Sequence, residues 1–348
     1  MKLLQTLIFI FLYKFTFSQN VNIPDANFKN YLLSNVAVNT NNDSEIQVSE
    51  AMNFTGTLSF QFRSINDLTG IEFFKNLSVL DCGDNNLTSI NLAENTALEQ
   101  LLCYDNNLTS LDLSNNTNLK VLDCRDNQLT TLDISNNTLL NYLSCPFNNI
   151  VSLNLENTIL ETLRCYSNNI SSIDVSSLTT LSTILISNNN LTELDLSNNF
   201  ALTVIECKSN NLLTDLNVAN TNNTNVTTFD TRFNPELRCI QVDDATYSTD
   251  NWTSIDNGVV FSENCILNIE SYDLIIKHYP NPTYKYLHIE TLEKIDFNIT
   301  TINGRVIVSG KLLEGKNKIN VERLSKGIYL MKGKNTKGNI ISFKFLKR

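Results

Sequence analysis

The residues of this chain best suited to covalent chemistry are its eight cysteines, and six of them recur at a regular interval. On neighbouring parallel strands, equivalent residues lie about 4.8 Å apart with their Cβ atoms pointing the same way. A disulfide needs Cβ atoms about 3.8 Å apart. We therefore predict that the recurring cysteines stay free and buried, packing as small apolar groups. They are Cys82, Cys103, Cys124, Cys145, Cys165 and Cys207.

Histidine chemistry is confined to the C-terminal end, because the only two histidines are His278 and His288. A histidine-based catalytic triad or zinc site is therefore excluded from the preceding residues. The sequence also shows no nucleophile–base pair, phosphate-binding loop or metal-ligand cluster. Four aspartates of the middle region recur at one register, which is typical of a structural or solvated position: Asp112, Asp133, Asp174 and Asp195. We predict a protein that is not an enzyme.

One polar loop near the N-terminus, residues 39–50, resembles an EF-hand calcium loop in the spacing of its oxygen-bearing side chains. Asn39 stands where aspartate is usual, and Ser44 stands where glycine allows the sharp turn. Two interpretations therefore stay open: an ordinary polar loop without a cofactor, and a structural calcium site that stiffens this region. In the second, the ligands would be Asn39, Asn41, Asp43, Glu45 through its carbonyl, and Glu50.

Asparagine marks a repeat through the middle of the chain, at Asn85, Asn106, Asn127, Asn148, Asn168, Asn189, Asn210 and Asn234. One turn reads Leu119-x-x-Leu122-x-Cys124-x-x-Asn127-x-Leu129-x-x-Leu132-x-Ile134. Leu122 and Cys124 are two residues apart, so both side chains point to one side of a short strand. Asn127 then ends the strand, because asparagine tolerates left-handed backbone and bonds to backbone groups at turns. We predict a buried asparagine ladder that bonds to the backbone of the same and adjacent turns.

A single coil of this length cannot bury its own apolar edge, so the coils must stack. Eight stacked turns predict a parallel sheet about 35–40 Å long, because neighbouring strands are about 4.8 Å apart. The apolar frame resembles that of leucine-rich repeats, and the cysteine in the second strand position resembles the bacterial surface variety. The resemblance covers about residues 58–240. It implies a solenoid of short repeats of about 21 residues and names no ligand.

Both ends of such a solenoid need caps over their apolar edges. At the N-terminal end, an alternating strand is predicted at Leu58, Phe60 and Phe62, after a short helix whose apolar face contains Ile23, Phe28, Tyr31, Leu32 and Leu33. This region resembles the N-terminal caps of secreted leucine-rich repeat proteins. At the other end, Cys239 and Cys265 leave the repeat interval. We predict a disulfide between them that closes the C-terminal cap and stabilises it by about 2–4 kcal/mol.

The first residues are typical of a cleavable secretory signal peptide. Met1-Lys2 supplies the positive start, an apolar run extends to Phe17, and the cut is expected near Ser18 or Gln19. Export would place the cysteines in an oxidising compartment. No later stretch has the roughly 18 consecutive apolar residues of a membrane-spanning helix.

Charge divides the chain near residue 271. Residues 272–348 carry a net charge of +9 and residues 1–271 a net charge of −19. Binding of nucleic acid by the acidic part is disfavoured, because phosphates would be repelled. After Cys265 the repeat is replaced by seven short alternating segments between turn signals, which predict a small all-β sandwich.

Four ordered motifs of this last region carry a second resemblance. They are Tyr279-Pro280-Asn281-Pro282-Thr283, Asn303-Gly304-Arg305, Leu324-Ser325-Lys326-Gly327-Ile328-Tyr329 and the closing Phe343-Lys344-Phe345-Leu346-Lys347-Arg348. They resemble the type A C-terminal sorting domain of the type IX secretion system of Bacteroidetes-type bacteria. The resemblance implies contact with that secretion machinery and a solenoid that is released or attached to the outer surface. An ordinary sandwich used for binding is the alternative.

The predicted layout therefore has five segments: a signal peptide (1–19), an N-terminal cap (20–70), leucine-rich repeats (71–238), a C-terminal cap (239–270) and the sorting domain (272–348). In each strand the residues flanking the inward positions face the open, concave side of the sheet. Most turns place small or polar residues there, but five large ones stand out: Tyr104, Arg125, Tyr142, Arg164 and Tyr166. Tyrosine and arginine are frequent interface anchors. We predict an exported binding or adhesion protein that recognises a protein or a glycan on this face. The alternative is a structural surface or matrix component without a discrete ligand.

Overall fold

The computed structural model describes residues 19–265, 275–302, 304–335 and 340–348. The chain divides into two compact units after Cys265. The predicted signal peptide, apart from Gln19, lies outside the described residues, and so does Asn303 of the second sorting motif. Among the helices in the described ranges, none has the length and apolar character needed to cross a bilayer.

The first unit is a stack of coils, each contributing a short strand to a parallel sheet. The strands are β1 Gly56–Ser59, β2 Leu77–Asp81, β3 Gln100–Leu102, β4 Val121–Asp123, β5 Tyr142–Ser144, β6 Thr162–Arg164, β7 Thr183–Leu185, β8 Glu193–Asp195, β9 Val204–Glu206, β10 Asp215–Asn217, β11 Thr228–Asp230, β12 Cys239–Gln241 and β13 Val260–Ser262. Nine of them form this sheet in the order β1 to β7, then β9 and β11, and a second parallel sheet contains β8, β10, β12 and β13. The sheet has one strand more than the eight predicted turns, because β1 of the N-terminal cap pairs with β2.

The two-residue alternation of each strand decides which side chains enter the core. Leu101, Leu122 and Leu143 are paired across β3, β4 and β5, and all three are fully buried. Two residues beyond Leu122, the thiol of Cys124 is buried as well. The six recurring cysteines are free and buried, which confirms the prediction. Burial raises the pKa of Cys145 and of Cys207 to about 12, so these thiols stay neutral.

The predicted asparagine ladder is present, and its bonds run toward the preceding turn. The Nδ2 of Asn127 donates to the carbonyls of Cys103 in the preceding turn (3.0 Å) and of Cys124 in its own turn (3.2 Å). Its Oδ1 accepts from the backbone N–H of Leu108, also in the preceding turn, at 2.9 Å. The prediction was wrong in one detail: the left-handed residue is Asp126 (φ 53°), one position before the asparagine.

A second asparagine ladder lies at the opposite corner of the coil, where the sequence pattern indicated only a polar turn. The Nδ2 of Asn116 donates to the carbonyls of Leu92 and Asn95 at 3.1 and 2.9 Å. Asn137 repeats the arrangement one turn later, at 3.2 and 2.9 Å from its two carbonyls. Both asparagines are fully buried. Each coil of this region is therefore held to its neighbour at two corners.

The N-terminal cap combines two helices with β1. Helix α1 (Ala26–Ser34) begins at Asp25, whose carboxylate accepts from two backbone N–H groups, and helix α2 (Val48–Asn53) begins with a capping box between Gln47 and Glu50. One expectation was wrong: Phe62 lies beyond the strand, in a left-handed conformation (φ 55°), and its side chain is exposed. It occupies the turn position that aspartates take in later coils.

The C-terminal cap closes the last coil with a disulfide, an aromatic stack and a carboxylate. Cys239 and Cys265 are bonded, with Cα atoms 5.8 Å apart, which confirms the predicted pair. The ring of Trp252 stacks on Phe229 at 4.1 Å, just after helix α3 (Ala245–Asn251). The carboxylate of Asp256 accepts from the backbone N–H of Asn234 in the last coil. It replaces the carbonyl that a further coil would have supplied.

The second unit consists of two antiparallel sheets that share one apolar core, as predicted. β14, β15 and β18 form one sheet, and β17, β16, β19 and β20 form the other. Leu287, Ile299, Met331 and Phe345 are among the fully buried residues between them. The bounds are β14 Ile275–Tyr279, β15 Tyr286–Thr291, β16 Ile295–Thr301, β17 Val306–Leu312, β18 Gly315–Asn320, β19 Gly327–Asn335 and β20 Ile340–Lys347.

Candidate ligand-binding surface

The outward-facing side of the nine-stranded sheet, here called the open face, presents its side chains in three columns. Strand pairing from β2 to β7, β9 and β11 defines the first two columns. The first contains Val79, Gln100, Val121, Tyr142, Thr162, Thr183, Val204 and Thr228. The second contains Asp81, Leu102, Asp123, Ser144, Arg164, Leu185, Glu206 and Asp230. The third lies two residues further on: Gly83, Tyr104, Arg125, Pro146, Tyr166, Ser187, Lys208 and Arg232. Strand alternation keeps these columns out of the core.

The five predicted binding residues all lie on the open face, but they form two separate groups. Tyr142 belongs to the first column and Arg164 to the second, whereas Tyr104, Arg125 and Tyr166 belong to the third. The contacts described below join Tyr104 to Arg125 and Tyr142 to Arg164.

The first group is an internal stack of Gly83, Tyr104, Arg125 and Asp123. The ring of Tyr104 lies directly over Gly83, so closely that a Cβ added there would come within 2.4 Å of it. The guanidinium of Arg125 lies 4.3 Å from the centre of the Tyr104 ring and pairs with the carboxylate of Asp123. A missing side chain in one turn therefore accommodates an aromatic ring from the next.

Charge within the internal stack is already matched. Asp123 is buried on the open face, and burial raises the pKa of its carboxyl, which Arg125 opposes. Burial and the carboxylates of Asp81 and Asp84 also raise the pKa of Tyr104. Because Arg125 is committed to both neighbours, it has less capacity to bind a group from outside.

The second group, here called the Arg164 cluster, consists of Tyr142, Phe147, Arg164 and Tyr166. Arg164 is exposed, and its guanidinium lies 5.9 Å from the centre of the Tyr142 ring. Within the described ranges it makes no ion pair, although its charge acts on the buried carboxylate of Asp123. Phe147 and Tyr166 meet edge to face at 5.3 Å. This arrangement places an exposed guanidinium over one aromatic ring, with a second aromatic pair on the same two coils.

Phe147 is the member of this cluster that sequence reasoning missed. It is 49% exposed and adopts a left-handed conformation (φ 54°). In the three preceding turns the same position holds Asp84, Asp105 and Asp126. A phenylalanine that replaces a recurring aspartate at a turn was the available signal, because a turn position has no need of an apolar side chain.

Those three aspartates form a line of like charges along the edge of the open face. Burial and the charge of Asp105 raise the pKa of both Asp84 and Asp126. In the part of the chain that the structure covers, no three His, Cys, Asp or Glu side chains are placed to hold a metal ion. The line therefore gives this edge a negative potential.

The predicted calcium loop is held by hydrogen bonds of its own. The carboxylate of Glu50 accepts from the backbone N–H of Thr40 at 2.8 Å and from that of Gln47 at 3.0 Å. Asp43 accepts from the backbone N–H of Glu45 at 2.8 Å. The Oδ1 of Asn39 is buried without a hydrogen-bond partner. Calcium at Asn39, Asn41, Asp43, Glu45 and Glu50 stays a prediction, which titration calorimetry with calcium would test.

Comparison with solved structures gives distant likenesses to bacterial proteins. Internalin C2 from Listeria monocytogenes is 23% identical over 55% of this chain and 98% of its own, with a TM-score of 0.43. Internalin InlF from the same organism is 20% identical over 69% of this chain and 91% of its own, with a TM-score of 0.40. The functional domain of InlJ, also from Listeria monocytogenes and described as including a cysteine ladder, is 18% identical over 95% of this chain and 100% of its own, with a TM-score of 0.26. These values say nothing about a ligand. No curated protein matches the sequence significantly.

The residues of the predicted sorting motifs are part of the framework of the second unit. Asn281 accepts from the backbone N–H of Leu346 at 2.9 Å, which joins the first motif to the last strand. Tyr279 stacks on His288 at 5.3 Å, beside Pro280 and Pro282. Gly327 begins β19, and the buried Tyr329 donates its hydroxyl to the carbonyl of Ser325 at 2.9 Å.

A family comparison identifies this unit. Residues 277–347 match the family described as "Secretion system C-terminal sorting domain". The match begins within β14 and ends with β20, so it covers the seven strands of the sandwich apart from the first two residues of β14. Residues 277–347 of the chain therefore form a secretion-system C-terminal sorting domain, which follows the parallel coils of the first unit in the sequence.

Proposed function

We propose that the first unit is an exported recognition module that binds a protein partner through the Arg164 cluster. The observation that carries the proposal is the exposed guanidinium of Arg164, which makes no ion pair in the described residues and lies 5.9 Å from the centre of the Tyr142 ring, with the edge-to-face pair of Phe147 and Tyr166 on the same two coils. The sorting domain supports an extracellular place of action. A folded scaffold that holds such side chains rigidly loses little entropy when it binds.

The chemistry of the cluster favours a partner that presents a carboxylate beside apolar groups. An arginine can bind a carboxylate through two parallel hydrogen bonds. Tyrosine and phenylalanine supply large contact areas with few rotatable bonds. Exposed aromatic and arginine side chains dominate the free energy of many protein interfaces. The internal stack does not supply a second anchor, because Arg125 is already engaged by Tyr104 and Asp123.

The test is to replace two of the aromatic anchors. Tyr142→Ala with Tyr166→Ala is expected to abolish binding without unfolding the solenoid, because both side chains are outside the core. Truncation of an interface anchor costs about 2 kcal/mol, or about 30-fold in affinity. The immobilised mature chain would capture surface proteins from neighbouring cells, and each captured protein would then be purified and titrated against both forms.

Phe200→Ala is the matched control, because Phe200 is an aromatic residue with 49% exposure that lies outside the open face. It should bind as the unchanged chain does. Equal binding of the purified partner by the double variant would remove the Arg164 cluster from consideration. If neither form captures a protein, but the unchanged chain retains a glycan that the double variant does not retain, the proposed protein partner is wrong and the cluster binds a glycan. Absence of any capture favours a structural surface component.

A further inference from the structure

The last coils of the first unit form a cavity that is open to solvent on one side and whose lining includes no member of the Arg164 cluster. Its volume is about 460 Å³, within the range of about 300–1,000 Å³ typical of small-ligand sites. One wall is the end of the open face, at β9 and β11. The other is α3 and the segment that follows it, in which Ser254 pairs in parallel with Asp230 of the last strand. The cavity exists because the C-terminal cap departs there from the regular coil.

Nearly all side chains that line this cavity carry hydrogen-bonding groups. The hydroxyls belong to Thr227, Thr228, Thr253, Ser254 and Tyr247, the amide to Asn251, and the carboxylates to Glu206 and Asp230. The aromatic lining residues Trp252 and Phe229 are buried, at 4% and 7% exposure, and their rings stack on each other. The walls therefore offer donors and acceptors in place of an apolar surface.

Charge around the cavity is nearly balanced. Arg232 donates to both carboxylate oxygens of Asp230, at 2.9 and 2.8 Å. Lys208 lies 3.7 Å from the same carboxylate. Glu206 acts electrostatically on Arg232 as well. Asp256 acts on Arg232 as well, so three acidic and two basic side chains lie together, and this near balance gives the cavity little preference for an ionic ligand.

We propose that this cavity binds a neutral saccharide unit. A sugar hydroxyl both donates and accepts, so it can donate to the carboxylate of Glu206 and accept from the amide of Asn251 or the hydroxyl of Thr228. Carboxylate, amide and hydroxyl groups that line one cavity are the set that recognises a polyhydroxyl ligand. A lysine or arginine side chain would instead meet the cations that already hold Asp230. The site goes beyond the protein recognition proposed above and does not depend on it.

The experiment uses the full mature chain and the only tryptophan of the sequence as reporter. Because Trp252 lines the cavity, occupation should change its fluorescence in a saturable way. The probes are cellobiose, maltose, lactose and N,N′-diacetylchitobiose, with arginine amide as the cationic arm. Each is titrated to about 10 mM, which would reveal a Kd near 1 mM. Calorimetry on the responding sugar gives a second readout.

Two variants and two controls make the outcome decisive. Glu206→Gln and Thr228→Val should each weaken binding of the responding sugar about 10-fold, because the first exchanges a charged acceptor oxygen for a neutral N–H donor and the second removes a hydroxyl from the walls. Thr183→Val is the matched control, since Thr183 occupies the same column of the open face outside the cavity, and it should bind normally. The Tyr142→Ala and Tyr166→Ala variant should also bind the sugar normally, which separates this site from the Arg164 cluster.

Three results would overturn the proposal. The first is no saturable change with any of the four sugars. The second is equal sugar affinity of the unchanged chain and the Thr228→Val variant. The third is a stronger response to arginine amide than to every sugar, which would assign the cavity to a cationic group.

Discussion

At the residue scale, the side chain of Asn127 takes the place of several backbone partners at once. Asn127→Ala would leave the N–H of Leu108 and the carbonyl of Cys103 without that partner inside the stack. A buried group left unsatisfied costs about 1–3 kcal/mol. We expect the free energy of unfolding to fall by about 3 kcal/mol, measured by urea denaturation.

The control for this prediction is the adjacent residue. Asn107 has an exposed side chain, so Asn107→Ala should change the free energy of unfolding by less than about 0.5 kcal/mol. Similar losses in the two variants would mean that the ladder contributes little beyond the propensity of asparagine for turns.

The repeat predicted the first ladder and the buried thiols because both follow from register alone. It did not predict the second ladder, because Asn116 stands in a run of polar residues that is also typical of an exposed corner. Nor did it separate Arg125 from Arg164. That difference depends on Gly83, whose missing side chain makes room for Tyr104 one turn later.

At the element scale, the interior face of the sheet contains a line of neutral thiols, and this makes stability depend on alkaline pH. Burial raises the pKa of Cys145 from its ordinary value of 9.0 to about 12. Above pH 9 the unfolded chain therefore binds fewer protons than the folded chain. This contribution to stability is complete below pH 9 and is lost as the pH rises toward 12.

The measurement is the midpoint of thermal unfolding at pH values from about 8 to about 11. The midpoint should fall steadily above pH 9. Cys145→Ala with Cys207→Ala removes two of the six buried thiols and should make the fall shallower. Because lysines and tyrosines titrate in the same range, an identical slope in this variant would assign the effect to them instead.

The caps were the elements least open to sequence reasoning. The disulfide between Cys239 and Cys265 could be predicted because both cysteines leave the interval. The role of Asp256 could not, because a single carboxylate that stands in for a missing coil has no repeat to reveal it. The same holds for Asp243, which accepts from the N–H of Thr221 at the other corner.

At the scale of the whole molecule, we assign separate tasks to the two units, so export can be tested apart from the proposed binding. Deletion of residues 277–347 removes the matched sorting domain and leaves the solenoid intact. In a host with a type IX system, we expect the shortened chain to accumulate in the periplasm, because nothing then directs it across the outer membrane. Cell fractionation and immunoblotting would show this.

The matched control is the full-length Tyr142→Ala and Tyr166→Ala variant. It retains the sorting domain and should reach the cell surface or the medium in normal amounts. Arrival of the shortened chain outside the cell would contradict the assignment of export to the second unit. The motifs made this unit predictable from sequence, because Asn281, Gly327 and Tyr329 each fix a turn or a strand of its framework.

The backward direction of the ladder bonds has one more consequence. The side chain of Asn127 bonds to its own coil and to the one before it, and the same is true of the side chains of Asn106 and Asn148. A whole repeat could therefore be duplicated or lost by recombination between similar segments, while every other ladder asparagine kept its hydrogen-bond partners. The number of repeats can thus change during evolution without any new kind of side-chain contact.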